Sequence, residues 1–538
     1  MKRRNFMKCV SAAVGAAGVA SAYKLTVVGK KPPERPNIIY IISDDQGWGD
    51  VAYYGHPTLK TPELDDMAAE SLRCDRFYAA ASVCSPTRAT VLTGRSNWRM
   101  NITSPLNPGE AAIPYSNKTL AEYLQPLNYY TAHVGKWHIG GFEQATAGAY
   151  YRPPWTCGFD HCHSTYNVVN TGDPYAALVD DYNAAQAGTP NVDKNNIVHD
   201  MDYIEDTVRH DLYWVYPPPA GKEAEALGGA WNIPIEIAKD DAFLRSGNDA
   251  ATTGQKTIDF IREANRQNKP FFIYSCFHSV HTPLSEILEY KDDYADIDQT
   301  IYEACKKYFT SLTAMDFEIG RIRDELRTLG IADNTIVVFS SDNGPNKKDA
   351  PKTYVPGLQG GRFYYTHIGS PGGYRGYKRD EHEGGLRVPG IIEWPAVITT
   401  PRSTKYPVVT YDFVPAMLEL LGIEPEMPMD GDGTKLLKLL RNQIAENPNG
   451  TLVNPADERK PMGFKDSKDD AWMTHTHKLV RTDWTDLPGG AYQWELYNMV
   501  NDEFEETDLS TTDPTLLNSM IADWTAWAAD VQNDIDDL

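Results

Sequence analysis

The chain has 538 residues, 41% of them hydrophobic and 23% charged, which is typical of a globular protein with a sizeable core and argues against wholesale disorder. The formal net charge of −23 argues against a nucleic-acid partner, because proteins that bind nucleic acids present a basic face. This charge is still compatible with an anionic small group bound in a locally basic pocket. Seven cysteines in a chain of this length do not indicate a disulfide scaffold.

Residues 1–22 have the composition of an export signal. A basic head at residues 2–4 is followed by a small, weakly apolar run and by a cleavage site, ASA, at 20–22. The run RRNFMK resembles a twin-arginine export signal, and an ordinary secretory signal is the alternative. No later stretch of about 18 apolar residues occurs, so we expect an exported protein, periplasmic or secreted, without a membrane span.

Three continuous apolar runs predict buried strands, and polar residues follow each run. The runs are PNIIYIIS at 36–43, FFIYS at 271–275 and TIVVFSS at 335–341. The polar residues that follow are Asp44-Asp45, then His278 and His281, and finally Asp342-Asn343. With a helical pattern at 304–329 between the last two strands, the alternation predicts an α/β sandwich with a mainly parallel sheet. Side chains beyond the carboxyl ends of such strands are expected to meet at one rim.

We predict that this α/β domain spans residues 35–430. Residues 163–240 are polar and rich in Asp, Asn, Ala and Pro, and we interpret them as an insertion over the rim. Near residue 430 the periodicity lapses, and short strand-like pieces precede a helical pattern that begins at Pro514. Residues 431–538 are therefore predicted to form a small C-terminal subdomain with an antiparallel sheet and a helix.

The segment CSPTRATVLTGR at 84–95 places a cysteine at the predicted start of a helix. Pro86 suits the first turn and Gly94 the end of that helix, and the free N–H groups of a helix start favour an anion. A plain cysteine packed under the helix start is the alternative. The pattern Cys-x-Pro-x-Arg, followed by Thr-Gly-Arg, resembles the signature of the formylglycine-dependent sulfatases of the alkaline phosphatase superfamily. In that family the cysteine is oxidised to formylglycine (3-oxoalanine), whose hydrated gem-diol attacks sulfur.

The resemblance implies one Ca²⁺ ion at the rim. The implied ligands are Asp44, Asp45, Asp342, Asn343 and the modified Cys84. Carboxylate and amide oxygens suit a hard cation of this kind. Taken alone, each Asp-Asp or Asp-Asn pair is more typical of a capping or turn element, but two pairs after strands that end at the same rim favour the metal.

Other segments that resemble the family supply the remaining catalytic candidates. In GKWH at 135–138, Lys136 would contact the diol and the sulfate, and His138 would hydrogen-bond the spare hydroxyl of the diol. In HSVHTP at 278–283, His281 would protonate the leaving alkoxide as general acid, with His278 as its rival. The sulfate would also be bound by cationic side chains. The resemblance thus implies the catalytic set Cys84, Arg88, Lys136, His138, His281 and Lys378.

The late basic motif departs from the family pattern. It combines RGYK at 375–378 with EGGLRVP at 383–389, and the charged run KRDE at 378–381 stands where small residues are usual. Glu383 and Arg387 are interpreted as structural residues that pack the loop against the sheet. We expect His382 to be an exposed loop histidine.

An exported protein with basic and aromatic residues in its rim loops is expected to act on a sulfated oligosaccharide or polysaccharide. The candidate substrate contacts are Arg375, Arg362 and Trp155. A maturation enzyme that oxidises Cys84 is the second implied partner. The alternatives are a phosphomonoester or phosphonate hydrolase of the same superfamily and a non-catalytic sulfated-glycan-binding protein. Whether Cys157 and Cys162 form a disulfide stays open.

Overall fold

The structure is a computed structural model. It describes residues 35–106, 110, 112–140, 152–165, 167, 248–346, 353–354, 364–365, 369–425, 432–434, 436–482 and 493–536. The predicted export signal, the predicted insertion apart from residues 163–165 and 167, and Arg362 lie outside the described residues.

Strands and helices alternate along the described ranges. The strands are β1 (Asn37–Ser43), β2 (Leu72–Cys74), β3 (Phe77–Tyr78), β4 (Tyr130–Lys136), β5 (His161–Thr165), β6 (Phe271–Cys276), β7 (Thr335–Ser341), β8 (Thr353–Tyr354), β9 (Tyr364–Tyr365), β10 (Arg387–Val388), β11 (Gly390–Glu393), β12 (Arg402–Thr404), β13 (Val408–Val409), β14 (Met462–Lys465), β15 (Asp470–Met473), β16 (His477–Thr482) and β17 (Gln493–Asn498). The α-helices are α1 (Pro62–Glu70), α2 (Cys84–Thr93), α3 (Leu120–Leu124), α4 (Asp249–Arg266), α5 (Gln299–Thr328), α6 (Glu383–Leu386), α7 (Phe413–Leu421), α8 (Leu437–Leu440) and α9 (Pro514–Asp536). Short 3₁₀ helices include Pro154–Thr156 and Leu288–Tyr294.

The central sheet has eight strands in the order β12-β2-β11-β7-β1-β6-β4-β5. Strand β11 runs antiparallel to both of its neighbours, and the other neighbouring strands pair in parallel. The predicted α/β class with a mainly parallel sheet is therefore confirmed. Strand β5 extends to Thr165, so the first three residues of the predicted insertion belong to the edge of this sheet.

Strand β1 lies in the middle of the sheet because all seven of its residues are apolar or small enough to be buried on both faces. It pairs in parallel with β6 and β7, and Ser43 stands opposite Ser341 in the register. Asp44 and Asp342 therefore leave the sheet side by side. The three strands predicted from the apolar runs are confirmed, and the predicted helix at 304–329 begins earlier, at Gln299.

Alternate residues of β1 enter two different cores. Ile38, Tyr40 and Ile42 pack in the core that includes helix α7, whereas Ile39 and Ile41 pack in the core that includes α4 and α5. This division follows from the period of two along a strand, and it buries the sheet between two layers of helices. Within the described part of the chain, no helix combines the length and the hydrophobicity that crossing a membrane requires.

The C-terminal region forms a second, antiparallel sheet with the order β14-β15-β16-β17. Helix α9 packs on this sheet, since Trp527 and Val531 share a core with Trp472 and Leu479. The leucines of α8 pack instead in the core of the large sheet. The predicted sheet and terminal helix are thus present, and the domain boundary at residue 431 stays a prediction.

Gly135, the penultimate residue of β4, is required by the fold. Its φ is +89°, and a Cβ atom there would lie 1.8 Å from the carbonyl oxygen of Cys276 on β6. We predict that Gly135→Ala destabilises the protein by about 3 kcal/mol, because left-handed strain and a backbone clash add. Gly330→Ala, at φ +70° with no atom within 4 Å, is the matched control and should cost about 1–2 kcal/mol. Urea unfolding measures both; equal losses would contradict the clash.

Candidate active site

The carboxyl ends of the central strands bring the two acidic pairs together. The Asp45 N–H donates to Oδ1 of Asp342 over 3.1 Å, and Nδ2 of Asn343 donates to Oδ1 of Asp45 over 2.7 Å. All four side chains of the two pairs are buried. The segment after β6 joins the same rim, because the Asp44 N–H donates to the carbonyl of Ser279.

Helix α2 brings the cysteine of the predicted motif to this rim. Cys84 is the first residue of α2 and is buried, and the helix ends at Thr93, directly before Gly94, which is in the left-handed conformation and suits the helix end as predicted. One turn after the cysteine, the Arg88 guanidinium donates to Oδ2 of Asp342 from Nε over 2.9 Å and from Nη2 over 2.7 Å. The same guanidinium donates to the carbonyl of Lys136, so α2 is tied to both β7 and β4.

Lys136 ends β4 and points into the acidic rim. Its ammonium donates to Oδ2 of Asp44 over 2.7 Å, and both side chains are fully buried. The following Trp137 N–H donates to the carbonyl of Thr165 on β5. The end of β4 is therefore fixed by an ion pair on one side and by a backbone hydrogen bond on the other.

Lys378 lies at the rim, on the loop that precedes helix α6. Its ammonium donates to Oδ1 of Asp45 over 2.5 Å. Its backbone N–H donates to Pro345, and the Arg379 N–H donates to Ser82, two residues before the cysteine. Burial lowers the pKa of Lys378, but the nearby carboxylate and the sulfur of Cys84 raise it above its ordinary value. The structure thus places Lys378 beside both the acidic rim and the cysteine.

The two histidines after β6 have different surroundings. His278 is fully buried, with Nδ1 2.9 Å from Asp249 and Nε2 2.6 Å from the Thr165 hydroxyl. His281 is 20% exposed; its Nε2 lies 3.6 Å from Asp45, and its Nδ1 lies 2.5 Å from the carbonyl of Thr282. Since a carbonyl only accepts, Nδ1 carries a proton there and Nε2 faces the rim. This geometry favours His281 over His278.

His138 is buried beside the cations of the rim. Burial, followed by the charges of Lys136 and Arg88, lowers its pKa well below the ordinary value, so the imidazole is neutral. Its backbone has φ +50°, and Asp45 and Arg379 are also left-handed, at +60° and +73°. Non-glycine residues rarely adopt such values, and they concentrate where function maintains strain.

The electrostatics of the rim follow from burial and from the contacts between charges. Burial raises the pKa of Asp44, but Lys136 and other cations lower it well below its ordinary value. For Asp45, Lys378 likewise outweighs burial and lowers the pKa. At Asp342, burial and the neighbouring Asp44 together raise the pKa to about 6. Of these carboxylates, only Asp342 thus shows a net effect of repulsion from a neighbouring acid, whereas the cations dominate at Asp44 and Asp45.

Residues 36–423 match the family model described as Sulfatase. The chain belongs to the sulfatase family. Rat N-acetylgalactosamine-6-sulfatase is 30% identical over 444 residues, covering 80% of this chain and 70% of the relative. Rat steryl-sulfatase is also 30% identical over 444 residues, covering 77% and 72%. The chain is thus a sulfuric ester hydrolase, and this supersedes the phosphoester-hydrolase and non-catalytic alternatives.

A solved structure confirms the fold of this sulfatase. The crystal structure of Ps i-CgsB in complex with k-i-k-neocarrahexaose has a TM-score of 0.68 and 23% sequence identity, and it covers 92% of each chain. The chain and that protein therefore share one arrangement of strands and helices.

The residues at the rim fit the Ca²⁺ ion implied by the family. Within the described ranges, Oδ1 of Asp44 and Oδ1 of Asn343 are buried without a hydrogen-bond partner. Asp44, Asp45 and His281 each offer one ligand atom, and these atoms lie within 4.8 Å of one another. The carboxylate and amide oxygens among these atoms suit a hard divalent cation.

Several other residues considered in the sequence have defined contacts in the structure. Arg375 was predicted to contact substrate, but its guanidinium binds Glu495 and the hydroxyl of Tyr497. Trp155 is half-buried and packs against the core. The expectation of an exposed His382 was wrong, since this side chain is 1% exposed. Cys157 and Cys162 are buried free thiols, whereas Glu383 and Arg387 are buried structural residues, as predicted.

A buried carboxylate that no sequence signal indicates joins two loops of the site. Asp50 accepts hydrogen bonds from the N–H groups of Gly47 and Ser370 and from the hydroxyl of Tyr308. Burial raises its pKa to about 7. The loop that begins with Asp44-Asp45 is thereby fixed to the loop that leads to Lys378. The sequence DDQGWGD contains this acid, but no periodicity distinguishes it from a turn residue.

We predict that Ca²⁺ stabilises the metal-stripped protein, because oxygens of the folded rim bind the ion and those of an unfolded chain do not. At a concentration 100 times the dissociation constant the gain is about 2.7 kcal/mol, seen as a higher melting temperature in calorimetry. Asp44→Asn should reduce this response. Asp412→Asn, which changes a buried carboxylate paired with Arg459 away from the rim, should preserve it. A melting temperature unaffected by Ca²⁺ would contradict the assignment.

Proposed function

We propose that this sulfatase releases inorganic sulfate from a sulfated carbohydrate, with a nucleophile made from Cys84. One observation carries the proposal: Arg88, Lys136 and Lys378 converge, each on a buried carboxylate, around the start of the helix that begins with Cys84. Three cations at one position suit a tetrahedral anion. The helix start adds free N–H groups that favour negative charge.

The conversion of Cys84 to formylglycine would supply a hydrated aldehyde as nucleophile. Cys84 is 2% exposed in the folded chain, and Ser82, two residues before it, donates a hydrogen bond from its hydroxyl to Glu381 over 3.0 Å. The nucleophilic atom is thus held inside the protein, where bulk water does not compete for the contacts around it. A maturation enzyme that oxidises this cysteine is the partner that such chemistry requires.

The charges of the rim suit a sulfate ester. Three carboxylates and three cations are in direct contact, so their formal charges cancel. A Ca²⁺ ion held by Asp44, Asp45, Asp342, Asn343 and the modified Cys84 would add two positive charges and polarise the oxygens that it binds. The resulting positive excess would offset the negative charge of the sulfate group and of the nucleophile. Losing one such preorganised contact typically costs about 3–4 kcal/mol of barrier.

His281 is our candidate for the general acid. Its Nδ1 donates to the carbonyl of Thr282, which fixes the ring and leaves Nε2 at the rim, 20% exposed. The imidazolium form of His281 would also carry a proton on Nε2, and that proton would pass to the leaving oxygen of the substrate as the bond between that oxygen and sulfur breaks. The neutral, buried His138 would instead hydrogen-bond the nucleophile or accept its proton.

Membership of the family does not identify the leaving group of the substrate, because the relatives include both a steryl-sulfatase and an N-acetylgalactosamine-6-sulfatase. The side chain of Arg379 supports an anionic glycan, rather than a sterol, as the leaving group. It directly follows Lys378, its backbone is held to Ser82, and its side chain is exposed. The described residues supply no ion-pair partner for its guanidinium. A second sulfate or a uronate on the substrate would be such a partner, whereas a sterol would not.

We also propose that residues 1–22 direct the protein out of the cytoplasm, to the periplasm or the medium. The support is the basic head, the short apolar run and the small residues at 20–22. A sulfated polysaccharide is found outside cells, so export would bring the enzyme to its substrate. Amino-terminal sequencing of secreted material tests the cleavage site.

We predict that active protein contains the aldehyde in place of the Cys84 thiol. Mass spectrometry of the peptide that spans residues 81–95 should show the loss that accompanies conversion of CH₂SH to CHO. Cys84→Ala should abolish release of sulfate, measured by ion chromatography on protein whose maturation has been checked. Cys162→Ala, at a buried free cysteine away from the rim, should keep both the modification and the activity. A fully active enzyme with only thiol at residue 84 would contradict the mechanism.

We predict that Arg379→Ala raises the KM for a disulfated oligosaccharide about three- to fivefold, as expected for an exposed ion pair. The KM for a small aryl sulfate with one charge should not change, because its leaving group presents no second anion. Arg266→Ala, at an exposed arginine that ends α4, is the matched control. Equal changes of KM for the two substrates would mean that Arg379 does not bind a second anionic group of the substrate.

A further inference from the structure

One carboxylate of the C-terminal sheet binds side chains on both sides of Lys378 in the sequence. Glu495, on β17, lies 3.1 Å from Nη1 of Arg375, which is three residues before the lysine. The same carboxylate lies 2.9 Å from Nε2 of His382, four residues after the lysine. The hydroxyl of Tyr497 also donates to it over 2.7 Å. Glu495 therefore connects the beginning and the end of the segment that carries Lys378.

The charges at this contact are opposite at neutral pH. Burial raises the pKa of Glu495, but the hydrogen bonds from His382 and Tyr497 lower it to about 2. Burial lowers the pKa of His382, whereas Glu505, Asp380 and Glu495 raise it to about 9. The imidazolium thus lies between Nδ1–Asp380 at 2.6 Å and Nε2–Glu495 at 2.9 Å. Charge-assisted hydrogen bonds of this kind are stronger than neutral ones.

The position of the Lys378 ammonium depends on this segment. A lysine side chain has a flexible stem of four carbons. Because this stem can adopt many conformations, the position of the ammonium near Asp45 depends on a fixed backbone. Backbone hydrogen bonds to Pro345 and Ser82 fix the middle of the segment. We propose that Glu495 is a positioning residue that clamps Lys378 for sulfate binding, so that the C-terminal sheet completes the active site. The inference rests on the proposed role of Lys378 in binding sulfate.

A second ion-pair network holds the C-terminal sheet to the large domain without Glu495. The Lys478 ammonium, on β16, lies 2.9 Å from both Glu383 and Glu505 and is fully buried. Arg387 adds a contact to Glu503 over 3.1 Å. Removing the charge of Glu495 should therefore leave the sheet attached and the protein folded, which separates positioning from mere attachment.

A double-mutant cycle on the matured, full-length enzyme tests the proposal. Glu495→Gln keeps the shape of the side chain and removes its charge. In the wild-type background it should lower kcat/KM about 10- to 100-fold, the typical cost of a misplaced binding group. In the Lys378→Ala background the same change should alter kcat/KM less than about twofold, because the group that it positions is already absent. Asp470→Asn, at a buried carboxylate of the same sheet paired with Lys465 and Arg481, should have little effect on kcat/KM in either background.

A binding measurement makes the test independent of maturation. In the Cys84→Ala protein, calorimetric titration with inorganic sulfate should give weaker binding for Glu495→Gln and for Lys378→Ala, and the double variant should bind no more weakly than Lys378→Ala. Melting temperatures check that each variant is folded. Equal effects of Glu495→Gln in both lysine backgrounds would overturn the clamp while leaving the proposed function intact. A Lys378→Ala enzyme as active as wild type would overturn the role of that lysine and the clamp with it.

Discussion

Three buried carboxylates at the rim each require a cation, and the placement of the other active-site residues follows from this requirement. Asp342 pairs with Arg88, Asp44 with Lys136, and Asp45 with Lys378. Removing one partner from such a buried pair typically costs about 3–5 kcal/mol, because an uncompensated charge stays in a medium of low polarity. The pairs therefore fix the geometry of the site as well as its charge. Through Arg88 they also fix the first turn of the helix that begins with Cys84.

The balance of these charges connects stability to chemistry. Alone, the three pairs are neutral, and the buried Oδ1 atoms of Asp44 and Asn343 have acceptor capacity that no hydrogen bond in the described ranges uses. A divalent cation at those oxygens would make the cluster positive, and a sulfate group would then restore neutrality. The same side chains thus stabilise the folded rim and prepare it for an anion. Electrostatic preorganisation of this kind typically supplies a large share of catalysis.

Ion pairs join the C-terminal sheet to the loop that carries Lys378. His382, expected on an exposed loop, is buried between Asp380 and Glu495, and Arg375, expected to contact substrate, binds the same Glu495. These contacts are buried or half-buried ion pairs that join the loop of Lys378 to strand β17. The charged run at 378–381, which departs from the family pattern, also has partners within the protein. Asp380 binds His382, and Glu381 accepts a hydrogen bond from the hydroxyl of Ser82.

The local pattern of apolar residues is enough to define the strands and the residues that follow them. A continuous apolar run such as NIIYIIS is typical of a strand that is buried on both faces of a parallel sheet, so β1, β6 and β7 and the polar residues after them were predictable. The motif at Cys84 and its helix were predictable because Pro86 and Gly94 act locally. Which charges meet depends instead on how the folded chain packs. Arg88 and Asp342 are 254 positions apart and Lys378 and Asp45 are 333 apart, while His382 meets Glu495 across 113. Local sequence contains no signal for such partners, because each charge has many possible counterions and the packing of distant loops selects one.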